Sequence, residues 1–286
     1  YAEDTDRAVE FGTRALQKAQ RVFGMDSLNA VYTAMYVGLL ANKLKHYVEG
    51  ESILSDVVAR WRRLGLPRNE VLARCLFHLA KARHKIGKAA GVETLYREGI
   101  ALMRSVGDES FYKISMGLRG LADFQIDMEK FAEAKAVLDE AGKISGKVGE
   151  DSSEVALTRL LQARWHEERN EWAEAERTYR SAHAALAKNA DQGATDAEFS
   201  RVKLDWSRAL IELGRLDEAA TLLAQSKIAL GESSGSNDIA SPDFHCITGE
   251  LDMANNRFES AVANLDRGLD LFAKLDVAVP SSEVRC

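Results

Sequence analysis

At 286 residues and 46% hydrophobic content the chain is long enough for one large core or two domains, and its formal net charge of -6 excludes the overall basic footprint that nucleic-acid binding needs. No run of about 18 apolar residues occurs, and the opening Tyr1-Ala2-Glu3-Asp4 lacks the basic-then-apolar pattern of a secretory leader, so membrane spanning and export are not expected. Three cysteines, Cys75, Cys246 and Cys286, are odd in number and share no C-x-x-C spacing, which points to reduced thiols in a cytoplasmic protein and not to zinc or a disulfide framework.

From the N-terminus, residues 3 to 23 read as one amphipathic helix, the second member of a pair whose first member is missing. Helix pairs then follow in order, broken at Gly87-Lys88-Ala89, Asp127-Met128-Glu129-Lys130, Arg169-Asn170-Glu171, Leu213-Gly214-Arg215 and Ala254-Asn255-Asn256-Arg257. Short polar links such as Gly107-Asp108-Glu109-Ser110 and Gly149-Glu150-Asp151-Ser152 supply side-chain oxygens for the free amides that open the next helix. Longer links rich in Gly, Ser, Asn and Asp run from Ala187 to Gly193 and from Gly231 to Asp238. Only Pro67, Pro242 and Pro280 interrupt the chain, and no strand-like alternation competes. The prediction is an all-α chain of about thirteen helices forming a single repeat domain over 1–275. Its approximate units are 1–26, 27–67, 68–108, 109–150, 151–191, 192–236 and 237–275, followed by a short tail, 276–286.

The period is carried by small residues. Ala8, Gly50, Val92, Ala134, Ala175, Ala219 and Ala261 follow one another at gaps of 42, 42, 42, 41, 44 and 42. A second set stands seven positions later, at Ala15, Val57, Gly99, Ala141, Ala182, Ser226 and Gly268. A third stands twelve positions earlier, at Gly38, Ala80, Ala122, Ala163, Ser207 and Gly249. Three small residues per unit mark where paired helices cross closely.

With Phe131-Ala132-Glu133-Ala134, Trp172-Ala173-Glu174-Ala175-Glu176, Leu216-Asp217-Glu218-Ala219 and Phe258-Glu259-Ser260-Ala261, the pattern resembles the tetratricopeptide repeat, whose usual period is about 34 residues. The forty-two residue unit is similar to the kinesin light chain subtype, and Tyr47-Val48-Glu49-Gly50-Glu51, Val22-Phe23-Gly24-Met25-Asp26 and Ser105-Val106-Gly107-Asp108 fit it too. The resemblance covers nearly the whole chain. It implies a right-handed superhelical solenoid of antiparallel helix pairs, and the missing first helix predicts a segment cut from a larger protein. Kinesin light chain repeats commonly carry Asn just before the Leu-Ala pair of the first helix. The corresponding residues here are Tyr36, His78, Gly120, Leu161, Asp205 and Ile247, so that ladder is absent and the cargo peptides typical of kinesin are not expected.

In proteins of this kind the first helices line the concave face, which implies a peptide-binding groove with Arg74, Lys81, Arg119, Arg164, Arg201 and Arg208 among the apolar Tyr32, Met35, Phe77, Met116 and Leu160. Arginine's planar fork engages two oxygens at once, so the expected partner is a protein or peptide segment that is acidic or phosphorylated. The competing reading pairs the same cations with Asp123, Glu167 and Glu250. Two further functions stay open: self-assembly into homo-oligomers through uncapped repeat ends, and ligand or peptide-pheromone sensing in a bacterial regulator.

Nothing in the sequence points to catalysis. Of the six histidines the nearest pair, His78 and His84, is six residues apart, about 600 degrees of helical rotation, unlike the i and i+4 spacing of metal-binding pairs. His166-Glu167-Glu168 lacks the second histidine of a zinc protease, and neither a phosphate loop nor a nucleophile elbow occurs. Neither cofactor, metal nor enzymatic activity is expected, and the chain reads as a scaffold or sensor module of a signalling or regulatory protein.

Overall fold

The computed structural model describes residues 2–106, 111–149, 152–188, 196–234 and 241–273. The links expected at 107–110 and 150–151, most of the two longer links and the 276–286 tail lie outside these residues. The described residues hold thirteen helices and no strand: α1 (Ala2–Phe23), α2 (Leu28–Lys43), α3 (Tyr47–Arg63), α4 (Glu70–Lys85), α5 (Val92–Val106), α6 (Phe111–Asp127), α7 (Phe131–Gly146), α8 (Ser153–Glu167), α9 (Trp172–Lys188), α10 (Asp196–Glu212), α11 (Leu216–Ser234), α12 (Pro242–Ala254) and α13 (Phe258–Ala273). None of them is long and apolar enough to cross a membrane.

Four of the first helices open on a capping side chain. Ser27, Asn69, Ser152 and Ser241 stand before α2, α4, α8 and α12, where their side chains accept from backbone amides one turn in. Every turn inside a helix pair is closed by one residue in the left-handed region: Lys45, Gly87, Glu129, Asn170, Gly214 and Asn256, each five positions before the small residue of the forty-two residue beat. The amide of the following residue reaches back to a carbonyl five residues earlier, as in His46 to Ala41, Lys88 to Arg83 and Arg215 to Leu210. This closure satisfies carbonyls that the ended helix leaves free.

The chain packs as two compact units, one ending at Phe124 and one beginning at Gln125. In the first, α2 packs on α3 and α4 on α5, while α3 also meets α4 and α2 meets α4 directly. Its core includes Met35, Leu54, Trp61, Leu72, Leu76, Met103 and Leu118, all fully buried. The Trp61 indole donates to the Pro67 carbonyl at 2.9 Å, which ties the end of α3 to the link before α4. In the second unit α8 pairs with α9, α10 with α11 and α12 with α13, and the first helices α8, α10 and α12 touch in sequence.

The small residues of the beat lie at these crossings. Ala134, Ala175 and Ala219 have no exposed surface, nor do Ala80, Ala122, Ala163 and Ser207 from the set twelve positions earlier. A Cβ on Gly99 would stand 2.5 Å from the Phe77 ring and one on Gly117 also 2.5 Å from it, so this ring fills space that both glycines leave open.

The cysteines depart in part from the expectation. Cys75 is a free thiol at 0% exposure, and burial pushes it up to about 12. Cys246, also fully buried, is disulfide-bonded where a reduced thiol was expected. An odd cysteine count rules out complete pairing but leaves room for one bridge.

Candidate binding stripe on the first helices

In the first unit the outward rows of α2, α4 and α6 hold most of the expected groove residues. Tyr32 is half-buried, with its ring edge-on to Trp61 at 5.6 Å. Arg74 and Met116 are half-buried, Lys81 is exposed, and half-buried Arg119 donates to the Ser115 hydroxyl at 2.9 Å. Met35 and Phe77 require a correction: at 1% and 3% exposure they are core residues and line no groove. Helix rotation explains this. Met35, Phe77, Leu204 and Cys246 occupy one equivalent position, and all four are buried against the helix pair's interior.

One residue further on, about 100° around the helix, lies the row that meets the surface, with Tyr36, His78 and Asp205. In the sequence this row stands out only by its missing asparagines. The signal that would have found it is the near-uniform apolar character of the row before it, which marks a core face.

His78 lies between Arg74 and Lys81 on α4. Its ring is neutral, because burial first, and then Lys81 and Arg74, lower its pKa to about 4. The His78 carbonyl accepts from the Asn42 side-chain amide at 2.7 Å, a direct tie between α2 and α4. Near the far end of α4, His84 and Lys85 approach the same Asp123 carboxylate, at 4.0 and 3.8 Å.

In the second unit the cations are already engaged. Arg164 is paired with Asp127 and lies 3.6 Å from Glu168. Arg208 on α10 reaches Glu250 on α12 at 3.2 Å and Glu167 on α8 at 3.8 Å. The buried Tyr179 hydroxyl donates to the other Glu167 oxygen at 2.6 Å. Burial opposes the charge on Arg208, but Glu250, Glu167 and Asp205 outweigh it and hold the guanidinium firmly protonated. Burial pushes the Asp205 and Glu250 carboxyls up, against the pull of Arg201 on the first and of Arg208 on both. Arg201 is exposed, 3.7 Å from Asp205, and Leu160 is half-buried against two neighbouring core clusters. Here the pairing reading describes Arg208, which meets Glu167 and Glu250, while Arg164 pairs with Asp127 and Glu168 instead of the carboxylates expected.

A second recurrent contact joins successive pairs. Glu51 on α3 accepts from Lys88 at 2.9 Å and from Arg83 at 3.0 Å. Glu176, at the equivalent place on α9, accepts from Trp206 and from Arg215, both at 3.2 Å. Lys88 and Arg215 are themselves equivalent, four residues before the small residue of their own units.

No family model matches the chain, and no curated protein matches its sequence. Solved structures do match its fold. A Rap protein complexed with competence and sporulation factor aligns with a TM-score of 0.65 at 13% identity, covering 87% of this chain and 76% of that one. The apo form of the quorum sensor NprR from B. thuringiensis aligns with 0.60 at 13% identity, covering 93% and 83%. A putative kinesin light chain with nearly identical TPR-like repeats, from Podospora anserina, aligns with 0.53 at 16% identity, covering 71% of this chain and 96% of that one. The fold is therefore an all-α helical repeat of the tetratricopeptide type, as the period and the repeated words implied.

Proposed function

We propose that this chain is a protein-interaction module that binds an acidic segment of a partner protein or peptide along the first helices of its first unit, acting as scaffold or sensor and not as an enzyme. The observation that carries this reading is the contrast between the two stripes. In the second unit the Arg164 and Arg208 side chains are only 18% and 11% exposed beside carboxylates, whereas in the first the exposed Lys81 and half-buried Arg74 flank a neutral histidine on a face that also carries Tyr32 and Met116. Cations beside apolar and aromatic side chains suit an acidic segment that carries one or two hydrophobic anchors. Among the proteins of similar fold, one is complexed with competence and sporulation factor and another with the Phr* peptide, which agrees with a peptide as ligand. An array of acidic and phosphorylated peptides tests the reading. Binders must be lost by the double variant Arg74→Glu, Lys81→Glu and kept by Arg201→Glu; retention by the double variant overturns the assignment.

A second reading, self-assembly, is favoured by one feature of α13. Phe258 and Val262 are 62% and 58% exposed, although their equivalents Tyr47 and Glu51 on α3 are both 8% exposed beneath the next first helix. A second copy seated on this face would cover them. Sedimentation at rising concentration tests it: Phe258→Ser with Val262→Ser must lower the mean mass if copies associate here, and an invariant monomer removes the reading.

A further inference from the structure

The His78 ring belongs to the first-unit stripe, and its own hydrogen bonding is incomplete. Arg74 lies four residues before it and Lys81 three residues after, so the three side chains share one face of α4. Its Nδ1 is buried without a partner, which leaves Nε2 as the ring nitrogen that meets solvent. A buried N–H without an acceptor is costlier than a buried lone pair, so the neutral ring carries its proton on Nε2. Beneath the ring, the Asn42 amide bond to the His78 carbonyl holds this part of α4 against α2.

We infer that Arg74, His78 and Lys81 hold a carboxylate-bearing segment, with the His78 Nε2–H donating to a carboxylate oxygen while the two cations engage that carboxylate and its neighbours. This deepens the proposed function and rests on it. Seven residues of helix separate Arg74 from Lys81 by about 10 Å along the axis. One phosphate group is too small to span that distance, whereas three residues of extended chain cover about 10 Å. The chemistry therefore favours an extended segment with acidic residues three apart. A neutral ring adds a directional donor without placing a third charge between two cations.

The arrangement couples binding to protonation. Arg74 and Lys81 are the charges that act on the ring, and α2, α3, α5 and α6 bring none that does. A carboxylate seated between the cations cancels their repulsion of a proton and adds an attraction. The ring's pKa then rises on binding, so the complex takes up protons and tightens as pH falls from neutral toward 5.

Imidazole NMR on the full chain tests this, with hexaglutamate as the probe and inorganic phosphate as its comparison. Hexaglutamate must move the His78 ring signals saturably and raise their titration midpoint by about one pH unit or more. Arg74→Gln and Lys81→Gln must each weaken it by about tenfold with the helical signal unchanged, and phosphate at equal concentration must move the ring far less. If hexaglutamate binds and the His78 signals stay still, the assignment fails while the interaction reading survives. If it does not bind between pH 5 and 7, both fail. A phosphate response equal to that of hexaglutamate overturns the carboxylate assignment.

Discussion

Arg208 and Glu250 are forty-two residues apart and meet side by side, Nε to Oε2 at 3.2 Å, at equivalent positions on α10 and α12. One period of the sequence has become one lateral step across the second unit. On its other side Arg208 reaches Glu167 of α8, so a single guanidinium links three successive first helices.

Removal of that guanidinium takes a cation away from Glu167, which is 4% exposed and accepts from the Tyr179 hydroxyl in the unit's interior. Arg208→Met is expected to destabilise the protein by about 3–5 kcal/mol, the usual cost of breaking a buried pair from one side. Double replacement, Arg208→Met with Glu167→Leu, should recover most of the loss, because the desolvated carboxylate is then gone as well. Urea unfolding of the three proteins measures both effects, and equal midpoints for the wild type and the single variant would refute the first.

Gly99 sits where the Phe77 ring presses on α5. Alanine there gains up to about 1 kcal/mol of helix propensity but places a Cβ 2.5 Å from a ring that Gly117 confines on another side. Overpacking of this kind costs about 1–3 kcal/mol. Gly99→Ala should therefore lower the midpoint of thermal unfolding, and the smaller ring-site variant Phe77→Leu should make the same alanine better tolerated.

The left-handed turn residues differ in cost. Gly87 and Gly214 adopt positive φ freely, whereas Lys45 and Glu129 hold φ of 68° and 56° with a side chain attached. A β-carbon in this region costs about 1–2 kcal/mol, partly offset by the freedom that glycine brings to the unfolded chain. Lys45→Gly and Glu129→Gly are each expected to stabilise by about 0.5–1 kcal/mol, and Gly214→Ala to destabilise by about 1 kcal/mol. Denaturant midpoints at fixed pH rank the set.

Acid should act on the first unit through His78. Its folded pKa of about 4 lies below the ordinary 6.5, so the unfolded chain binds the proton more tightly. The associated stability is complete above pH 6.5 and is lost as pH falls toward 4, by on the order of 3 kcal/mol. Asp205 and Glu250 have the opposite sign: burial raises their folded pKa values, so their contribution improves as they take up protons on acidification. His78→Gln isolates the first effect. Calorimetric unfolding temperatures between pH 7 and 4.5 should fall less for this variant than for the wild type, and identical slopes would remove His78 as the cause.

Much of the architecture was legible before any coordinates. The turns stand at the breaks read from Gly87, Asn170 and Gly214, and the small residues of the beat lie at helix crossings, because a repeated close approach excludes large side chains wherever it occurs. The stripe was less legible. A displacement of one residue turns a side chain through about 100°, which is why Phe77 was expected on the surface and His78 was passed over.

Sequence by itself determined the all-α repeat, its period and the places where the chain turns, since these depend on residues near one another along the chain. Tertiary structure decided which charges remain available. Arg74 and Arg208 are the same residue type on first helices three repeats apart, yet Arg208 is neutralised by Glu167 and Glu250 from the helices on either side, 41 and 42 residues away. Only the lateral packing of helices brings such groups together, and burial then fixes their charge.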